Sequence, residues 1–381
     1  MGTKSDRLED EADIDAFIAG LVLLGTGGGG NPLKGKAALL EALDRGGKLA
    51  WTPIDRLPPD AAACALTGVG SIAPGRALSA EERIAQGYLL GPLPEPPMHR
   101  ALRAMEEARG APISVIFATE LGGSKGAVPL AVAATLGLAM VDGDCCGRAV
   151  PEMTQISLVR AGCTAVPACF ADPWGTVAVV SEVASATQLE RIGKLLSQAT
   201  KLADPMAQCA RAAFSMTCGE LAKHIVPGTL SRALRVGRDI RQAAQEGGDP
   251  AEAAARTLGG QVLFRGRVTR KSWEDQGGFM VGTTELEGTG EDSGSVMRIW
   301  FKNENHVAWR NDVPVATAPD LICLLHAETG ETWTNTTLPD GVPIAVLGIT
   351  AEPSCRTPQA VEVLGPRHYG FDIPYMPLST P

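Results

Sequence analysis

Aromatic side chains are scarce in this chain of 381 residues: Phe, Trp and Tyr make up 4% of it, although hydrophobic residues make up 45%. The core must therefore be filled mainly by Ala, Val, Leu and Ile. Long apolar runs are also missing. The longest, from Phe17 to Leu24, is interrupted by Gly20 and falls short of the ~20 residues that a helix needs to cross a bilayer. We expect no membrane association.

Basic clusters are missing as well. The net charge is -9 and the Lys and Arg residues are scattered, whereas proteins that bind nucleic acids present a basic face to the phosphates. We expect no nucleic-acid partner. The first 15 residues lack an apolar stretch behind a basic start, and the nine cysteines show no regular spacing, so we expect a cytoplasmic protein with reduced thiols.

The usual nucleotide signatures are incomplete. Gly25, Gly27 and Gly30 fit G-x-G-x-x-G by letter, but the pattern before them predicts a helix instead of a strand, and no acid stands near residues 48–51. The Lys-Ser/Thr pair of a P-loop is also missing. We therefore expect no bound nucleotide. A nucleotide-dependent enzyme is an alternative function for the protein, and thermal stabilisation by ADP or NAD would indicate it.

Strands and helices alternate in the first 170 residues. Apolar runs predict strands over 61–66, 113–119 and 138–141, and helical patterns fill 34–43, 98–109 and 128–136. This alternation is typical of a parallel sheet with helices on its faces. We assign residues 1–170 to an α/β glycine-loop domain that carries the site.

The remaining chain changes character twice. Residues 171–260 predict a strand over 177–183 and helices over 186–203, 229–245 and 250–258, in a mixed connecting region that we expect to pack on the first domain. Residues 261–355 are rich in Val, Ile, Thr and Trp, with turn signals at 276–278 and 310–312 among others. Short strands at this spacing predict an antiparallel barrel or sandwich. Residues 356–381 form a C-terminal segment.

Acidic residues follow two of the predicted strands. Glu120 ends one, and Asp142 and Asp144 end another. Because ligands bind beyond the carboxyl ends of parallel strands, these acids are candidates for one site, as general acids or bases or as ligands of a divalent metal such as zinc. The alternative is that each acid caps a local helix or turn.

The run after these acids offers a nucleophile, a cation and a further acid. Cys145 could attack a substrate or bind zinc, but neighbouring carboxylates raise a thiol's pKa, and two small apolar residues packed in a loop are the alternative. Arg148 could hold a substrate carboxylate or a structural partner. Glu152 could be a ligand, a base or a helix-end charge.

Glycine loops complete the candidate site. Their backbone N–H groups can face an anion or a carbonyl oxygen at the start of the next helix, and the alternative is a helix end with a tight turn. The residues concerned are Gly27, Gly28, Gly29, Gly30, Asn31, Gly122 and Gly123.

The ordered set of motifs resembles the S-methyl-thiohydantoin desulfurase-like family, which is associated with hydantoinases. The pieces that carry the resemblance are LGTGGGGNP (24–32), ELGG (120–123), VDGDCCGRAVPE (141–152), VPGTL (226–230), QGGF (276–279), FKNEN (301–305), APDLI (318–322), RTP (356–358) and LGPR (364–367). The chain departs from the family pattern at Cys145-Cys146, where a Gly-Met-like pair is usual, and at Ser124-Lys125, where an Asn is commoner.

This resemblance implies a three-layer α/β domain, a barrel-like β-rich part, and chemistry on a five-membered cyclic amide or thioamide. We therefore expect a hydrolase or desulfurase that uses a metal-activated or base-activated water. The alternative is a non-catalytic protein that binds a small molecule or a hydantoinase-type partner. Self-association is a further expectation.

Overall fold

The computed structural model describes residues 7–70, 78–88, 91–203 and 209–378. Its helices are α1 (Glu11–Leu24), α2 (Pro32–Asp44), α3 (Ala80–Ala85), α4 (Pro97–Arg109), α5 (Ala127–Leu136), α6 (Ser157–Arg160), α7 (Ala186–Ala203), α8 (Cys218–Leu221), α9 (Thr229–Gln245), α10 (Pro250–Leu258) and α11 (Pro358–Leu364). Its strands are β1 (Ala62–Val69), β2 (Val115–Phe117), β3 (Ala139–Met140), β4 (Gly143–Asp144), β5 (Ala168–Ala171), β6 (Val177–Val180), β7 (Cys209–Thr217), β8 (Val226–Pro227), β9 (Gln261–Gln276), β10 (Phe279–Gly288), β11 (Val296–Lys302), β12 (Glu304–Arg310), β13 (Val313–Thr317), β14 (Leu321–His326) and β15 (Pro343–Ile349).

The first sheet is mixed, and most of its strands are parallel. Its order is β3-β2-β1-β7-β5-β6. Strands β1, β2, β3 and β5 run in one direction, and β7 and β6 run in the other. Helices α4, α5 and α7 pack against it. The predicted α/β domain with a mainly parallel sheet is confirmed, and β7 enters this sheet from the second half of the chain.

Two glycines bring α1 and α9 into direct backbone contact. A Cβ at Gly20 would lie 1.8 Å from the Ala233 carbonyl oxygen, and one at Gly237 would lie 1.7 Å from that of Ala16. Only a residue without a side chain fits at either place. Since the glycine loop follows α1 directly, this packing fixes where the loop begins.

The second sheet is wholly antiparallel and curves into a half-barrel, which confirms the predicted barrel-like β-rich part. Its order is β13-β12-β11-β10-β9-β15-β14. The predicted turns fall between neighbouring strands: Gly277 and Gly278 join β9 to β10, and Asn311 and Asp312 join β12 to β13 with positive φ angles.

The two sheets share hydrophobic contacts. Leu321 and Leu325 of β14 and Leu347 of β15 are buried in the same core as α1 and the first sheet. The site-bearing loops therefore meet where the two sheets adjoin. No helix in the part of the chain that the structure describes combines the length and the apolar character needed to cross a membrane. The division into four segments stays a prediction.

Candidate functional site

The glycine loop joins the two halves of the molecule. Thr26 has a φ of +43°, and its Oγ1 donates to the Ile322 carbonyl oxygen at 2.9 Å. The Asn335 N–H donates to the Gly27 carbonyl oxygen at 2.7 Å. The Gly29 N–H donates to Oε1 of Glu304 at 3.3 Å. These bonds hold the loop against β12 and β14, so its geometry depends on the β-rich half.

The same loop touches the loop after β2 backbone to backbone. Gly29 has a φ of +78°, and a Cβ there would lie 2.4 Å from the Gly122 Cα. The Ser124 N–H donates to the Gly29 carbonyl oxygen at 3.2 Å. Asn31 then caps α2 by accepting from the Leu33 N–H. The two glycine loops that the sequence offered as candidates therefore lie against each other.

A charged cleft opens beside these loops, and we call it the glycine-loop cleft. It lies between the ends of β1 and β2, the loop after Val150, helix α7 and the β11–β12 turn. Its charged lining residues are Glu120, Lys125, Glu152, Glu190, Lys194, Arg211 and Glu304, and Gly29, Gly30, Phe279 and Asn303 lie among them. It contains two of the predicted site acids, Glu120 and Glu152.

Two carboxyl groups with different surroundings lie in this cleft. Glu120 makes an ion pair with Lys125 at 3.0 Å and accepts from the Val150 N–H at 2.8 Å. Glu304 is 3% exposed, and its Oε2 is buried without a hydrogen-bond partner. Burial, reinforced by the charge of Glu120, raises the pKa of Glu304 to about 8. One group is therefore held by a cation, while the other is a protonated acid at neutral pH.

Glu152 is held in a network at one wall of the cleft. Lys302 donates to its Oε1, and Nε2 of His368 lies 2.9 Å from its Oε2. Burial alone would raise the pKa of Glu152, but the hydrogen bonds and charges of His368 and Lys302 overcome that effect and lower it to about 2. Glu152 is therefore an ionised anchor that ties the loop after Val150 to the C-terminal segment.

Another part of the cleft wall carries the charges of α7 and β7. Glu190 and Lys194 lie one helical turn apart, with Nζ 3.7 Å from Oε1. Burial raises the pKa of Glu190 and lowers that of Lys194 to about 8. Arg211 of β7 lies beside them, 7% exposed. The wall thus presents two cations and one acid in a poorly hydrated setting.

A larger cavity of about 190 Å³ lies between α2, α4 and α5. Its lining is mostly apolar, with Lys34, Glu41, Arg45 and His99 among the lining residues. None of the site residues predicted from the sequence lines it. The smaller glycine-loop cleft is therefore the candidate.

Asp142 and Asp144 lie outside the cleft lining, because each is used by nearby backbone N–H groups. Asp142 accepts from the Leu230 and Ser231 N–H groups, both at 3.1 Å, at the start of α9. Asp144 accepts from the N–H groups of Cys146 and Gly147 in its own turn, both at 2.9 Å. Burial raises the pKa of Asp144 to about 7. The local-cap alternative describes both residues.

Cys145 and Arg148 also lie outside the cleft lining. Burial and the neighbouring Asp144 charge raise the pKa of the Cys145 thiol well above its usual range, so it is a poor nucleophile. Arg148 is 1% exposed, and its guanidinium donates to four backbone carbonyls: Ala149, Asn305, Pro319 and Asp320. It is the structural partner of the APDLI and FKNEN motifs.

The predicted metal ligands do not form a donor set. Only Glu120 lies in the cleft, and Asp142 and Asp144 already accept two or more backbone hydrogen bonds each. Within the described ranges, no group of three or more His, Cys, Asp or Glu side chains could hold a metal ion. These residues therefore do not fit a metal.

Sequence reasoning missed most of the charged residues that line the cleft. Glu304 lies inside FKNEN, a motif of the resemblance, so that motif was the one available signal for it. Lys125 departs from the family pattern. Glu190 and Lys194 have the spacing of an exposed helical ion pair, and Arg211 lies in a strand that no pattern predicted. The periodicity of the sequence could not identify Lys125, Glu190, Lys194 or Arg211 as site residues.

Comparisons with known proteins agree with this architecture. A family model described as S-Me-THD-like, N-terminal domain, matches residues 12–182, and one described as S-Me-THD-like, C-terminal domain, matches residues 206–378. A crystal structure of a protein from Chromobacterium violaceum is 24% identical, with a TM-score of 0.74 over 97% of this chain and 99% of that chain. That likeness shows the fold. None of the curated proteins matches.

Proposed function

Because this chain belongs to the S-Me-THD-like family, we propose that the glycine-loop cleft hydrolyses the carbon–sulfur bond of an S-alkylated thiohydantoin ring. The observation that carries the proposal is the pairing of Glu304 with Glu120. One is a buried acid with an unpartnered oxygen, and the other is a carboxylate beside Lys125. An acid that holds a proton beside a second carboxyl group that can accept one is a usual arrangement for general acid–base catalysis.

In the first step, water attacks the ring carbon that bears sulfur, and Glu120 accepts the proton that water loses. A carbon–oxygen bond forms. The electron pair of the carbon–nitrogen double bond moves to the ring nitrogen, which takes the proton of Glu304. The Lys125 ammonium lies beside Glu120, where it offsets the negative charge that the attacking oxygen carries. Gly30 also lines the cleft, two residues before α2 begins.

In the second step, the carbon–sulfur bond breaks and its electron pair leaves on sulfur. The proton held by Glu120 passes to that sulfur, which gives a free thiol. The hydroxyl proton on the ring carbon returns to Glu304 as the carbonyl forms. Both carboxyl groups end in their starting states, and the products are a hydantoin and a thiol. Water is the only co-reactant.

The test is release of thiol from an S-methyl-thiohydantoin, followed with a thiol reagent, with product oxygen traced from labelled water. We expect Glu304→Gln, which keeps the size but cannot release a proton, to lower the rate by ~100-fold or more. Glu328→Gln, at an exposed carboxyl beyond β14, is the matched control and should keep the rate within twofold.

A wild-type protein that releases no thiol would overturn this proposal, as would a Glu304→Gln variant with an unchanged rate. If such an inactive protein also co-purifies with a hydantoinase-type partner, the non-catalytic alternative takes its place. We also propose the cytoplasm as its location, which the nine unpaired cysteines support.

A further inference from the structure

Arg211 differs from the other deeply buried arginines of this protein. It lies on β7, opposite Thr67 of β1 and Phe170 of β5, and its side chain lines the glycine-loop cleft. Within the described ranges its one hydrogen bond runs from Nη1 to the Met153 sulfur at 3.0 Å, and thioether sulfur is a weak acceptor. Its Nε is buried with no partner.

Arg148 and Arg100 show how this fold treats a buried guanidinium that serves structure. Arg148 donates to four carbonyl oxygens. Arg100, 4% exposed, donates to the carbonyls of Asp172 and Thr176 at 2.7 and 3.2 Å. A buried charged donor without a hydrogen-bond partner destabilises the folded protein. Such a group is typical of a site where a bound ligand supplies the missing acceptor.

The surrounding charges limit what that ligand can be. Glu190 and Lys194 form an ion pair next to Arg211, and Glu120 and Lys125 form another across the cleft. Glu304 completes the acids that face this space, apart from Glu152, which His368 and Lys302 already hold. The unbalanced charge is about one positive unit. With Glu304 protonated, a group with one negative charge fits this space, whereas a phosphate dianion would exceed the available positive charge and meet repulsion from Glu120 and Glu190.

We infer that Arg211 binds a carboxylate carried by a side chain of the substrate ring, and that it thereby selects acidic thiohydantoins over neutral ones. The inference rests on the proposed function for the identity of the ring. The geometry around Arg211 supports the carboxylate by itself. Arginine is the residue best suited to this recognition because its planar fork matches the two carboxylate oxygens.

The first experiment measures binding without turnover. Hydantoin-5-acetic acid and 5-methylhydantoin serve as probes, since they share the ring and differ in the carboxylate. By calorimetry we expect the acid to bind the wild type ~10-fold or more tightly than the neutral ring, the size of effect that one charged hydrogen-bonded contact gives. Equal affinity for the two probes would overturn the inference.

The second experiment compares variants. Arg211→Met removes the charge, and its preference for the acid should fall to about one, while Arg211→Lys should keep part of it. Arg191→Met, at an exposed arginine of α7, should keep the full preference. An Arg211→Met variant that still prefers the acid contradicts the inference, and if that variant fails to fold, Arg211→Lys with undiminished preference does the same.

The melting temperature of the variants shows whether Arg211 binds a ligand or stabilises the fold. Replacing an incompletely paired buried charge by an apolar side chain should leave the melting temperature unchanged or higher. Arg148→Met would leave four backbone carbonyls without their hydrogen-bond donor, and it should lower the melting temperature by several degrees. A loss of stability in Arg211→Met equal to that in Arg148→Met would show that Arg211 serves the fold.

Failure of this inference can be told from failure of the proposed function. If neither hydantoin binds, succinate is the probe: stabilisation of the wild type but not of Arg211→Met keeps the carboxylate site and rejects the ring. If succinate has no effect either, the carboxylate site is rejected. If hydantoin-5-acetic acid binds through Arg211 but no thiol is ever released, the carboxylate site is supported and the hydrolase activity is rejected.

Discussion

The backbone N–H of Gly29 donates a hydrogen bond to the side-chain carboxyl of Glu304, 275 residues further along the chain. The bond links the glycine loop of the first half to the first residue of β12 in the second half. It leaves the other oxygen of Glu304 without a partner at the cleft. The site is therefore shared between the two halves of the protein.

The rate of thiol release should fall as the pH rises through about 8. Burial and the Glu120 charge raise the pKa of Glu304 to about 8, so its proton-donating form is present below that pH and lost above it. Lys194, whose pKa burial lowers to about 8, loses its charge in the same range. The measurement is kcat/KM against pH.

Glu304→Gln separates these two groups. In the pH profile of its residual rate, the fall caused by ionisation of Glu304 should be missing, and only the fall caused by Lys194 should remain. Lys125 also faces Glu304 and Glu120, and Lys125→Met should lower the rate without removing the limb near pH 8. A wild-type rate that increases through pH 8 would assign Glu304 the role of base.

Glu152 should make the fold sensitive to acid. Its pKa is lowered from 4.5 to about 2 in the folded protein, so its contribution is fully present above the unfolded value and is lost as the pH falls towards 2. We expect Glu152→Gln to lower the free energy of unfolding at pH 7 by about 2 kcal/mol and by little at pH 2.5. Chemical denaturation at both pH values measures this. Glu107→Gln, exposed on α4, should show no such difference.

The contact between Gly29 and Gly122 should tolerate no side chain. Gly29→Ala combines a φ of +78° with a Cβ 2.4 Å from the Gly122 Cα, and we expect a loss of about 3 kcal/mol or more. Gly46→Ala is the matched control, because its φ is +80° and nothing lies within 4 Å. It should lose about 1 kcal/mol. If urea unfolding gave equal losses of stability for Gly29→Ala and Gly46→Ala, the loops that carry Gly29 and Gly122 could move apart without cost.

Asp142 should prove to be a structural acid. It is 4% exposed and accepts from two N–H groups at the start of α9, so Asp142→Ala should cost about 2 kcal/mol or more. The rate per folded molecule should stay within twofold. A folded Asp142→Ala protein that has lost thiol release would return this residue to the reactive site.

Much of the fold follows from local pattern. The sequence predicted helices over 186–203, 229–245 and 250–258, and the structure has them with the same bounds as α7, α9 and α10. Each has a strong apolar stripe, and α10 ends at Gly259 in the left-handed conformation. The turns at 276–278 and 310–312 were equally readable because Gly, Asn and Asp accept positive φ angles.

The site was only partly predictable. The glycine loops and Glu120 were found because they follow predicted elements directly, and Glu152 because it lies in the same run. Glu304 and Arg211 depend on long-range pairing that no local period encodes. Asp142 and Asp144 also follow a predicted strand, as site residues would. In the folded protein, however, Asp142 accepts hydrogen bonds from α9 and Asp144 from its own turn, and the sequence pattern alone cannot predict this difference.

Strand β7 lies between β1 and β5, yet it belongs to the part of the chain matched by the C-terminal family model. An N-terminal fragment cut before residue 206 would therefore have a sheet split down its middle, with two facing rows of unpaired backbone N–H and carbonyl groups. Such a fragment would seek strands from other molecules and precipitate. The two family modules therefore share one sheet, and we expect neither to fold when the chain is cut between them.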